Sequence, residues 1–372
     1  MKRLVLLGGG HAHVEVLRTL ALLPHPRWEV TLVSPTPSLT YSGMVPGHVA
    51  GHYKLGDCIV DLEKLCERAH ANLLLTSATL VSPGADEVIC ADATVLRYEV
   101  LSVNVGGVPY TGAAQGVGRH AFVLRPLENA IAAWNDVRVR ANDGRMSVVT
   151  VVGSGPAAIE LALAMDYRFR RDLHEAAPHV RVLGDAPVLA PSLPGRARAA
   201  LQGRMRLAGV EAHVDSLVAE VGPDYLRLKS GLEFATDAVF WVTGVAAPAW
   251  IRQSGFATDD RSFMLVNDSL QSLSHPGVFG AGDCVNQLGH SLPKAGVFAV
   301  RSGPVLAANL MAALEGGPLT PHVPKARHLA IVSAGDKYAV AAWGGFSASG
   351  EWVWRWKDRI DRRFIARYRV VP

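Results

Sequence analysis

Residues 3–13 read RLVLLGGGHAH. The apolar run at 3–7 predicts a short strand, and the three glycines at 8–10 predict a tight turn. A helical pattern occupies residues 11–23, and a run rich in β-branched residues at 29–33 predicts a second strand. A strand, a glycine-rich turn, a helix and a second strand form the arrangement that binds dinucleotides. The N-terminal segment is therefore predicted to begin an α/β domain with a parallel sheet.

The first turn departs from the usual dinucleotide fingerprint at two positions. Gly8 permits the tight turn, and Gly10 lets backbone N–H groups approach a pyrophosphate at the positive end of the helix. His13 replaces the third glycine of the pattern, and Ser34 replaces the acidic residue expected after the second strand. A hydroxyl group bonds a ribose more weakly than a carboxylate does. This turn alone is therefore moderate evidence for a dinucleotide-binding site.

A second unit of the same kind begins about 145 residues later. Residues 147–152 predict a strand, GSGP at 153–156 a turn, 157–173 a helix and 179–183 a further strand. Ala158 takes the third glycine position, which the pattern allows. The expected acid falls on Gly184 with Asp185 beside it, so these residues favour neither NADH nor NADPH. Two such units predict two separate nucleotide-binding domains.

Glu160 lies about one turn into the second helix, close to its positive end. In one interpretation, an inward-facing carboxylate at this place relays a proton. In the other, the carboxylate stabilises the helix dipole or caps the helix. Position alone leaves both interpretations open.

Composition restricts the class of protein. Of the 372 residues, 49% are hydrophobic and 19% are charged, which predicts a folded globular chain. The net charge of +4 lies entirely in residues 351–372, which carry seven basic and three acidic side chains. The remainder is neutral, which argues against nucleic acid as a partner. The four cysteines include no CxxC pair and the 14 histidines form no ligand cluster, so we expect no metal site and a cytoplasmic location.

The tail carries apolar residues at every fourth position, namely Trp352, Trp356, Ile360, Phe364 and Tyr368. This spacing predicts a helix with an aromatic stripe on one face and arginines on the rest. Such a helix lies at a membrane interface, packs over the body of the protein, or forms the contact of a homodimer. The longest apolar run, at 295–314, is interrupted by an arginine, a glycine and a proline, so no segment is expected to span a membrane.

The order of the motifs resembles a known family. The two GxG units are followed by WVTG at 241–244 and GAGD at 280–283. In this order the chain resembles the pyridine nucleotide–disulfide oxidoreductase superfamily and, within it, type II NADH:quinone dehydrogenases and sulfide:quinone reductases. GGGHAH at 8–13, YSGMVPG at 41–47 and WKD at 356–358 are similar to an NADH-dehydrogenase-like branch associated with selenophosphate synthetase and selenium metabolism. The resemblance covers nearly the whole chain.

The motifs and the resemblance imply an α/β fold. Two Rossmann-like, three-layer dinucleotide-binding domains are expected, the second inserted into the first, followed by a C-terminal segment. Residues 1–114 and 251–320 would form an FAD-binding domain, and residues 115–250 an NAD(P)H-binding domain. Residues 321–372 would form the C-terminal aromatic-basic segment.

The resemblance also implies roles for single residues. Glu160 and Lys294 would be catalytic, with Lys294 along the isoalloxazine ring of FAD. Ser34 would lie at the adenosine ribose, Leu80 would meet the adenine through its backbone, and Asp283 would bind the ribityl chain or phosphate. Binding of the cofactors FAD and NAD(P)H is expected at Gly8, Gly9, Gly10, His11, Ala12, His13, Ser34, Pro35, Leu80, Asn104, Gly106, Gly153, Gly155, Gly244, Gly282, Asp283, Lys294 and Ala295.

Two departures from the family limit the chemistry. Disulfide reductases carry a CxxxxC pair beside the flavin, but residues 41–46 hold no cysteine. Cys58, Cys66, Cys90 and Cys284 are each expected to be small buried residues. Type II dehydrogenases carry the quinone motif AQxAxxQ, whereas residues 295–301 read AGVFAVR and lack both glutamines.

These observations predict an FAD-dependent oxidoreductase. NAD(P)H would give a hydride to the flavin, and two electrons would then pass to a quinone or another small acceptor. One alternative is a sulfide- or selenium-directed flavoprotein oxidoreductase, and another is a non-catalytic FAD-binding partner of selenophosphate synthetase. If the tail helix contacts a membrane, the protein would be peripheral on the inner membrane face and the helix would deliver a lipid quinone.

Overall fold

Two parallel five-stranded sheets form the framework of the protein. The computed structural model describes residues 1–23, 28–325 and 327–369. The helices of these residues are α1 (His11–Leu20), α2 (Val45–Val49), α3 (Leu62–Arg68), α4 (Val117–His120), α5 (Leu127–Asn142), α6 (Pro156–Leu173), α7 (Gly195–Ala208), α8 (Ala249–Gln253), α9 (Gly296–Glu315) and α10 (Glu351–Tyr368). The strands are β1 (Arg3–Leu7), β2 (Glu29–Ser34), β3 (Ser38–Thr40), β4 (Ile59–Asp61), β5 (Ala71–Leu75), β6 (Ala78–Ser82), β7 (Glu87–Cys90), β8 (Val95–Arg97), β9 (Val100–Val103), β10 (Val108–Pro109), β11 (Phe122–Val123), β12 (Val148–Val152), β13 (His179–Leu183), β14 (Glu211–His213), β15 (Val218–Val221), β16 (Tyr225–Leu228), β17 (Glu233–Ala235), β18 (Ala238–Trp241), β19 (Val245–Ala246), β20 (Met264–Val266), β21 (Val278–Gly280), β22 (Val285–Gln287), β23 (Leu329–Ser333), β24 (Ala339–Trp343) and β25 (Phe346–Gly350).

The topology contains one sheet inserted into another. The first sheet has the strand order β21-β9-β1-β2-β5 and the second the order β11-β18-β12-β13-β14, and every pair in both is parallel. The chain leaves the first sheet after β9, builds the second sheet, and returns to the first with β21. The predicted α/β fold with an inserted second dinucleotide-binding domain is confirmed, while the boundaries at 114, 250 and 320 stay predictions.

His13 fills the place where a glycine usually separates the first helix from the sheet. Its ring is fully buried and hydrogen bonded on both sides, with Nδ1 2.6 Å from the Gly8 carbonyl oxygen and Nε2 2.8 Å from the Ser102 hydroxyl. The side chain therefore joins the β1–α1 turn to β9. A glycine here permits close packing of helix and strand; His13 replaces that close approach with two hydrogen bonds.

Helix α9 is long and apolar enough to cross a membrane by length and composition, and it is the helix of the described residues that meets both criteria. Half of it is buried, and it packs along α1. Gly303 makes this approach close, since a Cβ atom there would lie 2.8 Å from the Cβ of Glu15. These contacts make α9 a core helix of the first domain.

Helix α10 carries the aromatic residues of the tail around its axis. Trp352 and Trp356 stack with their ring centroids 6.4 Å apart and are 57% and 41% exposed, whereas Tyr368 is 2% exposed. Each four-residue step turns an α-helix about 40° beyond one full turn, so four steps rotate the side-chain direction by about 160°. The prediction of a single stripe is therefore wrong. The first residues of the series face solvent and the last face the first domain.

The inner side of α10 is part of the protein core. Val353 packs on Ala339 and Ala341 of β24, and Tyr368 joins the core of the first domain. Buried Glu15 of α1 accepts hydrogen bonds from the Arg367 guanidinium and the Tyr368 hydroxyl, each at 2.8 Å. Helix α10 therefore packs over the body of the protein, which is one of the three arrangements predicted for the tail.

Replacing His13 with glutamine should make the free energy of unfolding depend less on pH between pH 7 and pH 5. Burial lowers the pKa of His13 from 6.5 to about 4 in the folded protein. Between these values the unfolded chain binds the proton first, so stability falls as the pH falls. This contribution should cost the wild type about 2 kcal/mol between pH 7 and pH 5, which urea unfolding at the two pH values measures.

The glutamine variant should be less stable at pH 7 and should lose about 2 kcal/mol less than the wild type on acidification. The pKa of His11 is also lowered to about 4 by burial, but His11 is present in both proteins and its effect cancels. Equal losses in the two proteins would contradict the role assigned to His13.

Candidate functional site

The carboxyl ends of β1, β2 and β9 line a cleft of about 370 Å³. Ligands of open parallel sheets bind in the crevice beyond these ends. The cleft brings together nine of the residues predicted to bind a cofactor: Gly8, Gly9, Gly10, His11, Ser34, Pro35, Asn104, Gly106 and Asp283.

The β1–α1 turn fits against the end of β9 because it carries no side chains. A Cβ atom on Gly8 would lie 2.6 Å from the Asn104 carbonyl oxygen, and one on Gly10 would lie 2.2 Å from Asn104 Oδ1. Gly8 also has a φ of +91°, which favours glycine. The bare turn leaves the positive end of α1 beside the cleft, where a diphosphate is stabilised.

The Asn104 side chain caps α1 from outside the helix. Its Oδ1 accepts the N–H groups of Ala12 at 3.0 Å and His13 at 3.3 Å, and its Nδ2 donates to the Ala281 carbonyl oxygen at 2.6 Å. Ala12 and His13 lie behind the turn and do not line the cleft. The structure thus gives Asn104 a positioning role in addition to its place in the cleft wall.

His11 faces the cleft with a nitrogen that lacks a partner among the described residues. Its Nε2 atom is buried without a hydrogen bond, and burial lowers the pKa of the ring to about 4. The ring centroid lies 5.7 Å from those of Tyr41 and Phe364. Because buried polar atoms are nearly always hydrogen bonded, this neutral imidazole fits a site that holds a polar ligand.

Arg125 and Asp283 form an ion pair across the cleft that sequence reasoning missed. The Arg125 guanidinium donates to Asp283 Oδ2 at 2.8 Å, and Asp283 is 8% exposed. Arg125 follows β11 and its neighbour Leu124, at the carboxyl end of a strand of the second sheet. That position is a signal for a site residue in a parallel sheet.

Lys294, Gly282 and Ala295 also lie outside the lining of this cleft. The Lys294 ammonium donates to the Val285 carbonyl oxygen and, at 2.6 Å, to Asn286 Oδ1, in a small adjoining cavity that Gly282 also lines. Burial lowers the pKa of Lys294. Ala295 precedes α9, whose first residue Gly296 reaches the cleft. The predicted place of Lys294 along the flavin ring stays a prediction without a contact that supports it.

Leu80 and Ser34, the residues predicted to contact the adenine and the ribose, have less support from the structure than the first glycine turn does. Leu80 lies in β6, outside the cleft lining, although Ala78 of the same strand lines it. The Ser34 hydroxyl donates to the Thr36 carbonyl oxygen at 2.8 Å and is 2% exposed. It is therefore engaged in its own loop.

The second glycine turn matches the first at its leading glycine but not at Gly155. Gly153 has a φ of +153°, and a Cβ atom there would lie 2.3 Å from the Val242 carbonyl oxygen, just before Gly244. Gly155 precedes α6, and a Cβ atom there would meet no atom within 4 Å. The Ser154 hydroxyl donates to Asp185 at 2.6 Å, which holds that carboxylate beside the turn.

Glu160 does not cap its own helix. Its Oε1 accepts the backbone N–H of Ser333 at 2.8 Å and the Ser333 hydroxyl at 2.7 Å, which joins α6 to β23. Burial raises the pKa of Glu160, and the positive charge of Lys357 opposes that rise. The structure therefore places this buried carboxylate close enough to the Lys357 ammonium of α10 for the two charges to stabilise each other.

Lys357 is the centre of a buried charged cluster that the sequence did not reveal. Its ammonium donates to the Gly43 carbonyl oxygen and, at 2.7 Å, to Asp361 Oδ2. Tyr41 donates to Asp361 Oδ1 at 3.3 Å and stacks on Phe364 with 4.2 Å between ring centroids. These residues come from segments more than 300 positions apart, so no local motif signals them.

The four cysteines lie where their thiols have low reactivity. All four are free and buried, and among the described residues no cysteine lines the cleft. Burial raises the pKa of Cys58 and of Cys66 to about 12 and that of Cys284 to about 11. A thiol with such a pKa is a poor nucleophile at neutral pH.

A family model described as pyridine nucleotide-disulphide oxidoreductase matches residues 2–303. A probable NADH dehydrogenase of Dictyostelium discoideum is 22% identical over 94% of this chain and 82% of its own length. A type II NADH:quinone oxidoreductase of Haemophilus influenzae is 25% identical, but that match spans 46% of this chain and 41% of the relative.

Solved structures show the same fold over almost the whole chain. The sulfide:quinone oxidoreductase of Aquifex aeolicus superimposes with a TM-score of 0.83 at 17% identity, covering 99% of this chain and 92% of the other. NDH2 from Plasmodium falciparum, solved with NADH, gives 0.80 at 14% identity, covering 99% and 97%.

Adding one methyl group to the first glycine turn should abolish binding of the FAD that the sequence predicts. In a Gly10→Ala variant the new Cβ would push Asn104 away and disturb the cap of α1. Gly155→Ala is the matched control, because its Cβ meets open space in the second turn. The flavin-to-protein absorbance ratio after purification measures the effect. A Gly10→Ala protein with as much bound flavin as the control would contradict the assignment of this cleft.

Proposed function

Because this chain belongs to the pyridine nucleotide-disulphide oxidoreductase family, we propose that it passes a hydride from NAD(P)H to FAD and then two electrons to a quinone. The chain is an oxidoreductase with FAD and NAD(P)H as its cofactors. The quinone acceptor and the roles of single residues are the proposed part.

The observation that carries the proposal is the make-up of the cleft end near α9. His11, Ser42 and Gly296 meet there, and Tyr41 and Phe364 cover His11. This end carries aromatic and polar groups, and no cysteine of the described residues reaches it. An acceptor that takes electrons without a thiol relay, such as a quinone, suits these surroundings.

Different residues of the cleft would bind different parts of the cofactor. The N–H groups at the start of α1 would bind the diphosphate of FAD, and Arg125 with Asp283 would bind the polar chain between diphosphate and ring. The turn at Gly153 and Gly155 would hold the diphosphate of NAD(P)H. FAD itself supplies a ring that accepts a hydride and returns its electrons to an acceptor. Glu160 and Lys357 would control the proton balance beside it.

The sulfide- or selenium-directed alternative lacks its reactive groups. Persulfide chemistry needs thiolates that face the flavin, but the four cysteines are buried, and burial raises the pKa of each. The likeness to a sulfide:quinone oxidoreductase is one of fold. A selenophosphate synthetase partner has no counterpart among the relatives named above and, like the homodimer, stays a prediction.

We also propose that the outer side of α10 rests on a membrane surface and brings the protein to a lipid quinone. Trp352, Trp356 and Ile360 are exposed there. Arg359 and Arg363 are exposed beside them and have no acidic partner in the part of the chain that the structure describes. Aromatic and aliphatic side chains flanked by arginines bind anionic lipid surfaces.

Replacement of all four cysteines by alanine should leave reduction of the flavin by NADH unchanged within a few-fold. The reason is that no thiol lies in the cleft wall of the described residues. Anaerobic stopped-flow traces of flavin bleaching with NADH, NADPH and sulfide measure the first half-reaction, and re-oxidation by a soluble ubiquinone analogue measures the second. Bleaching by sulfide that disappears in the cysteine-free protein would instead favour the sulfide alternative.

Trp352→Ser combined with Trp356→Ser should reduce sedimentation with anionic liposomes. These exposed rings would supply the apolar part of the contact, and the arginines the part that high salt weakens. Leu207→Ser is the control, because Leu207 is 80% exposed on α7 of the second domain. Equal sedimentation of the double variant and the control would count against membrane docking. Truncating the tail is a poorer test, because it would uncover Glu15 and Glu160.

A further inference from the structure

The cluster around Lys357 holds more negative than positive charge. The Lys357 side chain is 12% exposed and the Asp361 side chain 5%. Glu160, also desolvated, lies close enough that its charge stabilises the Lys357 ammonium. Two buried carboxylates facing one ammonium would leave a net negative charge away from water if both were ionised. Such an arrangement binds a proton instead.

Within the described residues, Lys357 is the cation that forms an ion pair with Asp361. The titratable groups that face it are Tyr41, Tyr53, Cys58, Glu160, Lys357 and Asp358. Asp358 is already bonded to the Tyr53 hydroxyl and to Arg362, each at 2.8 Å. Burial raises the pKa of Asp361, and Lys357 and Tyr41 oppose that rise.

Tyr41 connects Asp361 with the cleft. Its hydroxyl bonds Asp361 Oδ1 at 3.3 Å. Its ring stacks on Phe364 and meets the ring of His11 edge-on, at 5.7 Å between centroids. His11 lines the cleft, and Ser42, the residue after Tyr41, lines it too. Tyr41 itself does not line the cleft; it lies between the buried carboxylate of Asp361 and the lining residue His11.

We propose that Asp361 stores the proton that a quinone acceptor takes up, and that Tyr41 delivers it to the acceptor oxygen. This inference rests on the proposed function. Reduction of a quinone by NAD(P)H consumes the hydride of the nicotinamide and one further proton. Tyr41 would donate its phenolic proton to the acceptor oxygen and take the proton of Asp361, which recovers one from solvent. Asp361 and Tyr41 are then relay residues, because Tyr41 lies behind His11 and Ser42, which line the cleft.

The test separates proton-coupled from proton-free electron transfer. Ferricyanide takes one electron and no proton, whereas a soluble ubiquinone analogue needs both. Asp361→Asn should lower the rate of flavin re-oxidation by the quinone analogue roughly 10²-fold, with bleaching by NADH and re-oxidation by ferricyanide unchanged within a few-fold. Asp361→Glu should recover part of the rate. Asp358→Asn, on the same helix, is the matched control and should behave as the wild type.

Infrared spectroscopy of the resting protein gives a second measurement that does not depend on turnover. The wild type should show the infrared band of a protonated carboxyl group at neutral pH, and part of that band should vanish in Asp361→Asn. If this variant fails to fold, Tyr41→Phe keeps the stacked ring, removes only the hydroxyl and should show the same quinone-specific loss.

The outcomes distinguish a failure of the proton relay from a failure of the proposed quinone acceptor. An Asp361→Asn or Tyr41→Phe protein that reduces the quinone analogue as fast as the wild type overturns the relay. An infrared band unchanged in Asp361→Asn overturns the storage of the proton on that residue. A wild type that reduces ferricyanide but no quinone overturns the proposed acceptor, and with it the relay.

Discussion

The Asn104 side-chain amide is the contact on which the rest of the site depends. Its oxygen caps α1 through the N–H groups of Ala12 and His13, and its nitrogen holds the end of β21 at Ala281. One residue thus joins the carboxyl ends of β9 and β21 to the start of the helix. Because β21 belongs to the part of the chain that returns after the second domain, this amide also closes the first domain around the insertion.

In the folded protein, acidic residues of the body neutralise part of the positive charge of the tail. From composition, a neutral body carries a tail of +4. In the structure Arg367 pairs with Glu15 and Lys357 faces Glu160, so acids of the body neutralise the inner side of α10. The arginines that remain are those of the outer side. The helix therefore combines a side that packs on the core with an exposed basic and aromatic side.

The elements that could be predicted from sequence depend on local geometry. Both glycine turns, their flanking strands and the order of the two domains follow from backbone requirements that a few neighbouring residues express, as at Gly8 and Gly153. Nine cofactor positions that the motifs and the family resemblance imply meet in one cleft. Lys294 lies outside its lining because a family position identifies a residue but not the direction of its side chain.

The remainder depends on contacts between distant segments. A four-residue repeat looks like one stripe in the sequence, but rotation along α10 sends Trp352 to solvent and Tyr368 to the core. The same rotation places Lys357 and Asp361, one turn apart, on the inner side, where they meet Tyr41 and Glu160. Exposed and buried residues of one helix thus belong to one rigid element, so a contact that moves Trp352 and Trp356 would also move Lys357 and Asp361. If the outer side of α10 binds a membrane and its inner side stores a proton, as proposed, one rigid element couples surface binding to proton balance at the acceptor end of the cleft.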